Sequence, residues 1–367
     1  MSLLLFLCCS HPFLGLLSLP QTCCYYPTAQ ITTANISGLV KSIVSTSEAS
    51  TSESGDGSNN STNVRALAIG EVMRYRLKVA VPEGTNTNFV LTDTLPLGLT
   101  FLDGTLKLAY WADNNFTNGN GTASTELAGA NAIPDADPPT FILPSTYYSY
   151  TAGSRLLTVN LQSPVNNDND VSVEYVVLEF NVLVNNDVNN NNGSIQDNLF
   201  NVTVNSGAAL ASNHLYSKVL EPSILFGATA KVVTGSTTGY DAGDTVAYAI
   251  TYTNTGTTDA FDVRILDILN SNYFTLQTPA AITAVPTGCS IVVTNNSKAD
   301  AAPKLDQVDV TVSSVPVGCS VTIAYSAVLT TNIVPLTPYI NTANLTYSSL
   351  PGDHGTGDVT LLSLIHI

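Results

Sequence analysis

At 367 residues, 44% of them hydrophobic and with a mean hydropathy of +0.20, the chain is long and apolar enough to bury more than one core and is no disordered polymer. Twelve Lys and Arg against 28 Asp and Glu leave a net charge of −16, which repels phosphate backbones and anionic bilayer surfaces; nucleic acid is not expected as a partner, nor membrane insertion of the folded modules. Only 11% of residues are charged, against about a quarter in an ordinary globular protein, and Thr, Ser, Asn and Gly fill the difference, as suits an extracellular β-protein.

Residues 1–30 are open to two readings. Met1 to about Pro20 is mostly apolar, like a secretory signal, with small residues near Ala29 and Ala34 for cleavage. The stretch carries no Lys or Arg, and it holds His11, Pro12 and the pairs Cys8-Cys9 and Cys23-Cys24, which fits a mis-called start as well. A membrane-spanning helix is disfavoured, because the run is barely long enough and prolines interrupt it.

From there the chain reads as short strands bounded by Asn, Asp, Gly or Pro. A first apolar strand is expected around Ile36 to Val44, followed by a Ser/Thr/Gly/Asn-rich loop from Ser45 to Asn63 and a strand at Val72 to Val81. Phe89 to Asp93, Leu99 to Phe101 and Leu106 to Trp111 come next, then an Asn/Gly/Ala/Pro-rich excursion from Asp113 to Pro139. Strands near Leu156 to Leu161, Tyr175 to Val184 and Asn198 to Val204 complete a first module over residues 31–217. Residues 218–223, beginning Lys218-Val219-Leu220-Glu221-Pro222, read as a connection. A second module over 224–361 opens with Ala228 to Val233 and closes with Ile340 to Tyr347. Residues 362–367, Leu362-Ser363-Leu364-Ile365-His366-Ile367, read like a translated sequencing adapter and are expected to be an artefact, so that the natural chain continues differently.

The two modules repeat one phrase. Gly70-Glu71-Val72-Met73-Arg74-Tyr75-Arg76-Leu77-Lys78-Val79 leads to Leu91-Thr92-Asp93-Thr94-Leu95-Pro96, and Gly243-Asp244-Thr245-Val246-Ala247-Tyr248-Ala249-Ile250-Thr251-Tyr252 leads to Ile265-Leu266-Asp267-Ile268-Leu269. Each is a Gly-acid turn, an alternating strand, a loop and a second strand ending on Asp. No helical period of useful length occurs. The expectation is an all-β chain of two tandem, elongated immunoglobulin-like β-sandwiches.

Cys289 and Cys319 sit in matched contexts, Gly288-Cys289-Ser290 and Gly318-Cys319-Ser320. They are either a disulfide or two buried thiols; a zinc site lacks further ligands nearby. Asp168 and Asp170, in an Asn/Asp-rich run, are weak calcium candidates without a spaced loop or a bidentate Glu, and no other metal site and no cofactor are expected. Asn115-Phe116-Thr117 and Asn344-Leu345-Thr346 are sequons that a chain this rich in Asn and Thr yields by chance. His214 and His354 stand without a serine elbow or paired base, which argues against hydrolysis. Tyr110 and Trp111 read as core, with a glycan-facing role as the rival.

Asp241-Ala242-Gly243-Asp244-Thr245-Val246, Ile250-Thr251-Tyr252-Thr253-Asn254-Thr255-Gly256, Asp267-Ile268-Leu269 and Ile340-Asn341-Thr342-Ala343 together resemble the conserved-repeat domain found in tandem in large bacterial surface proteins. The first module, through Asp93-Thr94-Leu95-Pro96-Leu97-Gly98-Leu99-Thr100-Phe101, is similar to the isopeptide-forming domains of fimbrial shafts and adhesin stalks. The resemblance covers about residues 35 to 350 and implies a secreted, cell-surface, non-enzymatic structural role. In the fimbrial relatives a first-strand Lys condenses with a last-strand Asn, aided by a buried acid, and ammonia leaves. Matched residue by residue, this implies Lys41, Asp93 and Asn198 in the first module and Lys231, Asp267 and Asn341 in the second. The second module departs from the pattern where Asn270-Ser271-Asn272-Tyr273 replaces the Pro-x-Gly-Leu-Thr-Phe run. The bland alternative makes each Lys a solvated edge guard and each Asp a turn cap.

Three functions compete. A stalk segment whose partners are neighbouring repeats of the same chain comes first. A module binding a glycan or cell-surface protein through the Asp113 to Pro139 excursion is second, and accessory domains of a secreted enzyme are third.

Overall fold

The computed structural model describes residues 29–48, 51, 55–111, 141–166, 173–188, 190–284, 289–298, 306–352 and 364–366. Residues 29–34 carry no strand or helix, and both sandwiches lie within the compact unit Asn35–Ile367. Among the described residues the regular structure is β, with one 3-10 turn at Ser145–Tyr147. Asp168, Asp170, His354, the whole Asp113 to Pro139 excursion and the N-terminal cysteines lie outside the described residues.

The first sandwich packs two sheets over one core. In one, Val72–Val81 lies between Ser37–Thr46 and Glu174–Val184, and Glu174–Val184 also pairs with Leu99–Phe101 and Lys107–Trp111. In the other, Phe89–Thr94 lies between Phe200–Thr203 and Leu156–Gln162, all antiparallel. Tyr75, Leu77 and Val79 from the first sheet meet Phe89, Leu91, Val159 and Phe200 from the second in a single buried cluster. Beside them Leu215–Leu220 pairs antiparallel with Ile195–Asn198 and parallel with Arg65–Ala68. The first sandwich therefore runs to Leu220: positions 218–220, expected as connection, are strand, because Val219 and Leu220 are buried.

The second sandwich repeats the plan with a separate core. Thr245–Asn254 pairs with Ile224–Leu225, Lys231–Val233 and Ser320–Leu329, and Ser320–Leu329 pairs with Phe274–Ala284. Facing them, Ala260–Ile268 lies between Gln307–Val315 and Ala343–Ser348, and Leu364–His366 adds to the edge of Ala343–Ser348. Strict alternation shows in Ser320–Leu329, where every second residue is buried, as expected of a sheet with one face on the core.

The sequence repeat is a repeat of hydrogen bonds. Gly70 N–H donates to Val184 O and Val184 N–H to Glu71 O, at 2.8 and 2.9 Å; Gly243 N–H donates to Leu329 O and Leu329 N–H to Asp244 O, also at 2.8 and 2.9 Å. Both glycines have positive φ, 87° and 92°, a conformation costly for any residue with a Cβ. In each module the Gly-acid turn thus sets the register between the two central strands of one sheet.

Candidate functional site: a buried Lys-Asp-Asn cluster in each sandwich

Of the ten residues in Ser37–Thr46 only Lys41 is buried. Alternation places its side chain inward, and its side chain is 0% exposed, ion-paired through Nζ with Asp93 Oδ2, itself 1% exposed. Lys41 therefore reaches from one sheet to the centre of the other, and the solvated edge guard is excluded. The outer edge of the strand at Lys41 is held by a side chain in place of a strand. Lys41 N–H donates to Asn213 Oδ1 (2.8 Å), and Asn213 Nδ2 donates back to Lys41 O (3.0 Å). Tyr75 lies under the ammonium, with Nζ 4.2 Å from its ring centre, and Phe180 is at 5.9 Å.

Asn198 ends Ile195–Asn198 and is buried beside Asp93 and the Tyr75 hydroxyl, yet neither its Oδ1 nor its Nδ2 makes a well-formed hydrogen bond. Asp93 Oδ1 is likewise buried without a partner. Such groups are rare, because an unpaired buried amide costs about 1–3 kcal/mol. Burial lowers the Lys41 pKa, opposed by the Asp93 charge, and raises that of Asp93, opposed by Lys41. Both shifts favour the neutral amine and the neutral acid. Burial, and then the Asp93 charge, also push the Tyr75 hydroxyl up.

The second cluster has the same plan and different details. Lys231 opens Lys231–Val233 and pairs with Asp267 Oδ2 at 2.5 Å, its side chain 11% exposed and that of Asp267 0%. Tyr248 and Tyr325 stack at 5.1 Å between ring centres and lie 5.0 and 5.7 Å from the Lys231 Nζ. The Tyr325 hydroxyl donates to Asp267 Oδ2 and accepts from Asn341 Nδ2 at 3.1 Å. Burial lowers the Lys231 pKa, and burial followed by the Asp267 charge raises Tyr325 and takes Tyr248 to about 12. Asn341 is half-buried and precedes the strand Ala343–Ser348.

In both modules the Lys and Asp meet within hydrogen-bond reach. In the first, Asn198 is not on the last strand: Phe200–Thr203, Leu210–Ala211 and Leu215–Leu220 follow it, because the polypeptide returns to pair with Ile195–Asn198. Sequence reasoning passed over the aromatic platform, although Tyr75 and Tyr248 stand at the same offset in the repeated phrase, and it passed over Asn213. His214 does not stand alone: its Nδ1 is 2.9 Å from Asp197 Oδ1, with both side chains about half exposed. Cys289 and Cys319 are joined by a disulfide, Cα atoms 5.9 Å apart. Among the described residues no group of three or more His, Cys, Asp or Glu could hold a metal, and no helix is long and apolar enough to cross a membrane.

No protein-family model and no curated protein matches the chain. Solved structures do. The C-terminal domain of the Streptococcus pyogenes antigen I/II-family protein AspA matches at 11% identity and a TM-score of 0.39, over 85% of this chain and 96% of that one. A 35 kDa C-terminal fragment of the major pilin of Streptococcus agalactiae matches at 11% and 0.30, over 91% of each. The full-length major pilin SpaD from Corynebacterium diphtheriae matches at 12% and 0.29, over 89% of this chain and 58% of that one. At TM-scores this low none of these likenesses assigns a role to the chain.

Proposed function

We propose that the chain is a non-enzymatic structural segment of a secreted bacterial cell-surface protein, and that its first sandwich locks itself with an amide between Lys41 and Asn198. The observation that carries the reading is the buried Asn198 carboxamide, without a well-formed hydrogen bond, beside a fully buried Lys41-Asp93 pair. Condensation removes the buried Nδ2 group and leaves a secondary amide that links two strands.

The reaction needs no external reagent. The proton passes from Lys41 Nζ to Asp93, a transfer favoured by burial of both groups. The neutral amine attacks Asn198 Cγ, with Asp93 stabilising the developing oxyanion. The Nζ–Cγ bond forms, the Cγ–Nδ2 bond breaks, and Asp93 carries a proton from Nζ to the departing nitrogen. Ammonia leaves and takes up, as ammonium, the proton that Lys41 first gave to Asp93. Lys41 and Asn198 each sit against Asp93; holding reactants in one geometry supplies effective molarity, and the desolvated site strengthens each electrostatic term.

Partners in this reading are neighbouring repeats of the same chain, for which tandem sandwiches joined by a short turn are suited. The experiment is the intact mass of the full chain, with peptide mapping. A first module lighter by one ammonia, with Lys41 and Asn198 in one branched peptide, is expected; a mass equal to that of the sequence would sink the cross-link.

A further inference from the structure

The two clusters differ at one aromatic position. Phe180 and Tyr325 are equivalent: each stands directly across from the platform tyrosine, Phe180 opposite Tyr75 and Tyr325 opposite Tyr248, and each lies near its Lys ammonium. We infer that this residue decides whether the Lys-Asp-Asn cluster condenses, Phe180 permitting the bond and the Tyr325 hydroxyl holding the second cluster as an open ion pair. The inference rests on the cross-link reading of the first module and extends it to why the second differs.

Three observations carry it. The Tyr325 hydroxyl and Lys231 Nζ both donate to Asp267 Oδ2, so the oxygen that would take the Lys231 proton already holds a second donor. Proton transfer from Lys231 to that oxygen must displace the Tyr325 hydrogen bond before the amine has a free lone pair. The same hydroxyl accepts from Asn341 Nδ2, so the leaving nitrogen is anchored and the carboxamide, unlike that of Asn198, has a well-formed hydrogen bond. The Lys231 side chain also keeps 11% of its surface in solvent, against 0% for Lys41, so its burial is less complete. Phe180 has no hydroxyl to play either part; Oδ1 lacks a partner in Asp93 and Asp267 alike, so the clusters differ at Oδ2 and at the Asn. The second sandwich carries the Cys289–Cys319 disulfide as its own cross-link.

The test compares the full chain with Y325F and F180Y, using intact mass, mapping of both candidate branched peptides and a time course after refolding. The wild type is expected to lose one ammonia, from the first module. Y325F is expected to lose two, with Lys231 and Asn341 in a branched peptide. F180Y is expected to slow the first bond by roughly tenfold or more, the scale of one hydrogen bond to a charged group. Phe180 is buried in the core, so F180Y can fail to fold; Y325F only removes an oxygen and is the independent arm. Two ammonias lost from the wild type, or Y325F remaining at one, would overturn the inference and leave the Lys41-Asn198 bond standing. None lost from the wild type would remove the bond itself, and the inference with it.

Discussion

Replacing Asn198 by Ala separates a bonded first module from an unbonded one by the sign of the effect. If Lys41 and Asn198 are joined, the link closes a loop of roughly 160 residues, and loss of that constraint on the unfolded chain costs about 5 kcal/mol in the chain-entropy model. For a module of this size each kcal/mol moves Tm by about 2–4 °C, so N198A is expected to lower the first module's transition by roughly 10–20 °C. If the two are not joined, the substitution deletes a buried carboxamide that has no well-formed hydrogen bond. Removing such a group relieves a burial cost of about 1–3 kcal/mol, offset by a small cavity, and Tm stays level or rises. Differential scanning calorimetry of the full chain reads both modules, and the second transition serves as the internal control. A level or raised Tm for N198A, with the wild type at its unmodified mass, would refute the reasoning.

Replacing Cys289 and Cys319 together by Ala opens a loop of 30 residues, worth about 3–4 kcal/mol in the same model; the second transition is expected to fall and the first to stay. An unmoved second transition would show the bridge to be thermodynamically idle. Arg76 and Arg264 make a contrasting pair. Arg76 Nε donates to the buried Glu179 at 2.6 Å, and R76A is expected to cost about 3–5 kcal/mol by stranding that carboxylate. Arg264, half exposed, chelates Asp309, whose side chain is only 9% exposed, at 2.8 and 2.9 Å; with one partner open to water, R264A is expected to cost less, about 1–3 kcal/mol, and equal losses in urea titrations would break the distinction. Glu71 is buried, accepting from Ala68 N–H and the Thr51 hydroxyl, and burial raises its pKa despite those donors. A raised folded pKa means the folded state binds the proton more tightly, so this contribution is full below the ordinary carboxylate range and is lost as pH rises through the folded value. E71Q is expected to flatten that decline in denaturation midpoints measured from acid to neutral pH; an unchanged slope would remove Glu71 as its source.

The strands that position the site were largely legible because they alternate. Val72–Val81 and Leu99–Phe101 fall where the pattern puts them, and the Gly-acid turns are the same physical object in both modules, closed by matching hydrogen bonds. Arg65–Ala68 and Leu215–Leu220 were not legible as strands of one sheet, because their parallel pairing joins residues some 150 apart and nothing local records it. Lys41 was legible as a strand residue but not as a buried one: Leu39 and Ile43 share its face and pack against the core, yet a Lys between them reads as readily as a charge that turns back to solvent. The aromatic difference was within reach. Tyr75 and Tyr248 share an offset, but Phe180 and Tyr325 lie far along the chain, and only pairing across the sheet makes them counterparts.

The position of Asn198 changes what a cross-link would do under tension. A bond from the first strand to the last would carry force past the entire module. Asn198 is followed by Phe200–Thr203, Leu210–Ala211 and Leu215–Leu220, so a Lys41-Asn198 bond would shield the central strands between those two residues and leave the C-terminal flank outside. That flank is held by Leu215–Leu220 against Ile195–Asn198 and Arg65–Ala68, and it could release about 22 residues, on the order of 75 Å of chain, before the covalent tie is reached. The second sandwich, with its Lys-Asp-Asn cluster open, would be shielded only within the loop closed by Cys289 and Cys319. Two modules built on one phrase would then differ in kind, the first a short tether with a stop and the second a domain free to unravel and refold, and the difference traces to one hydroxyl on Tyr325.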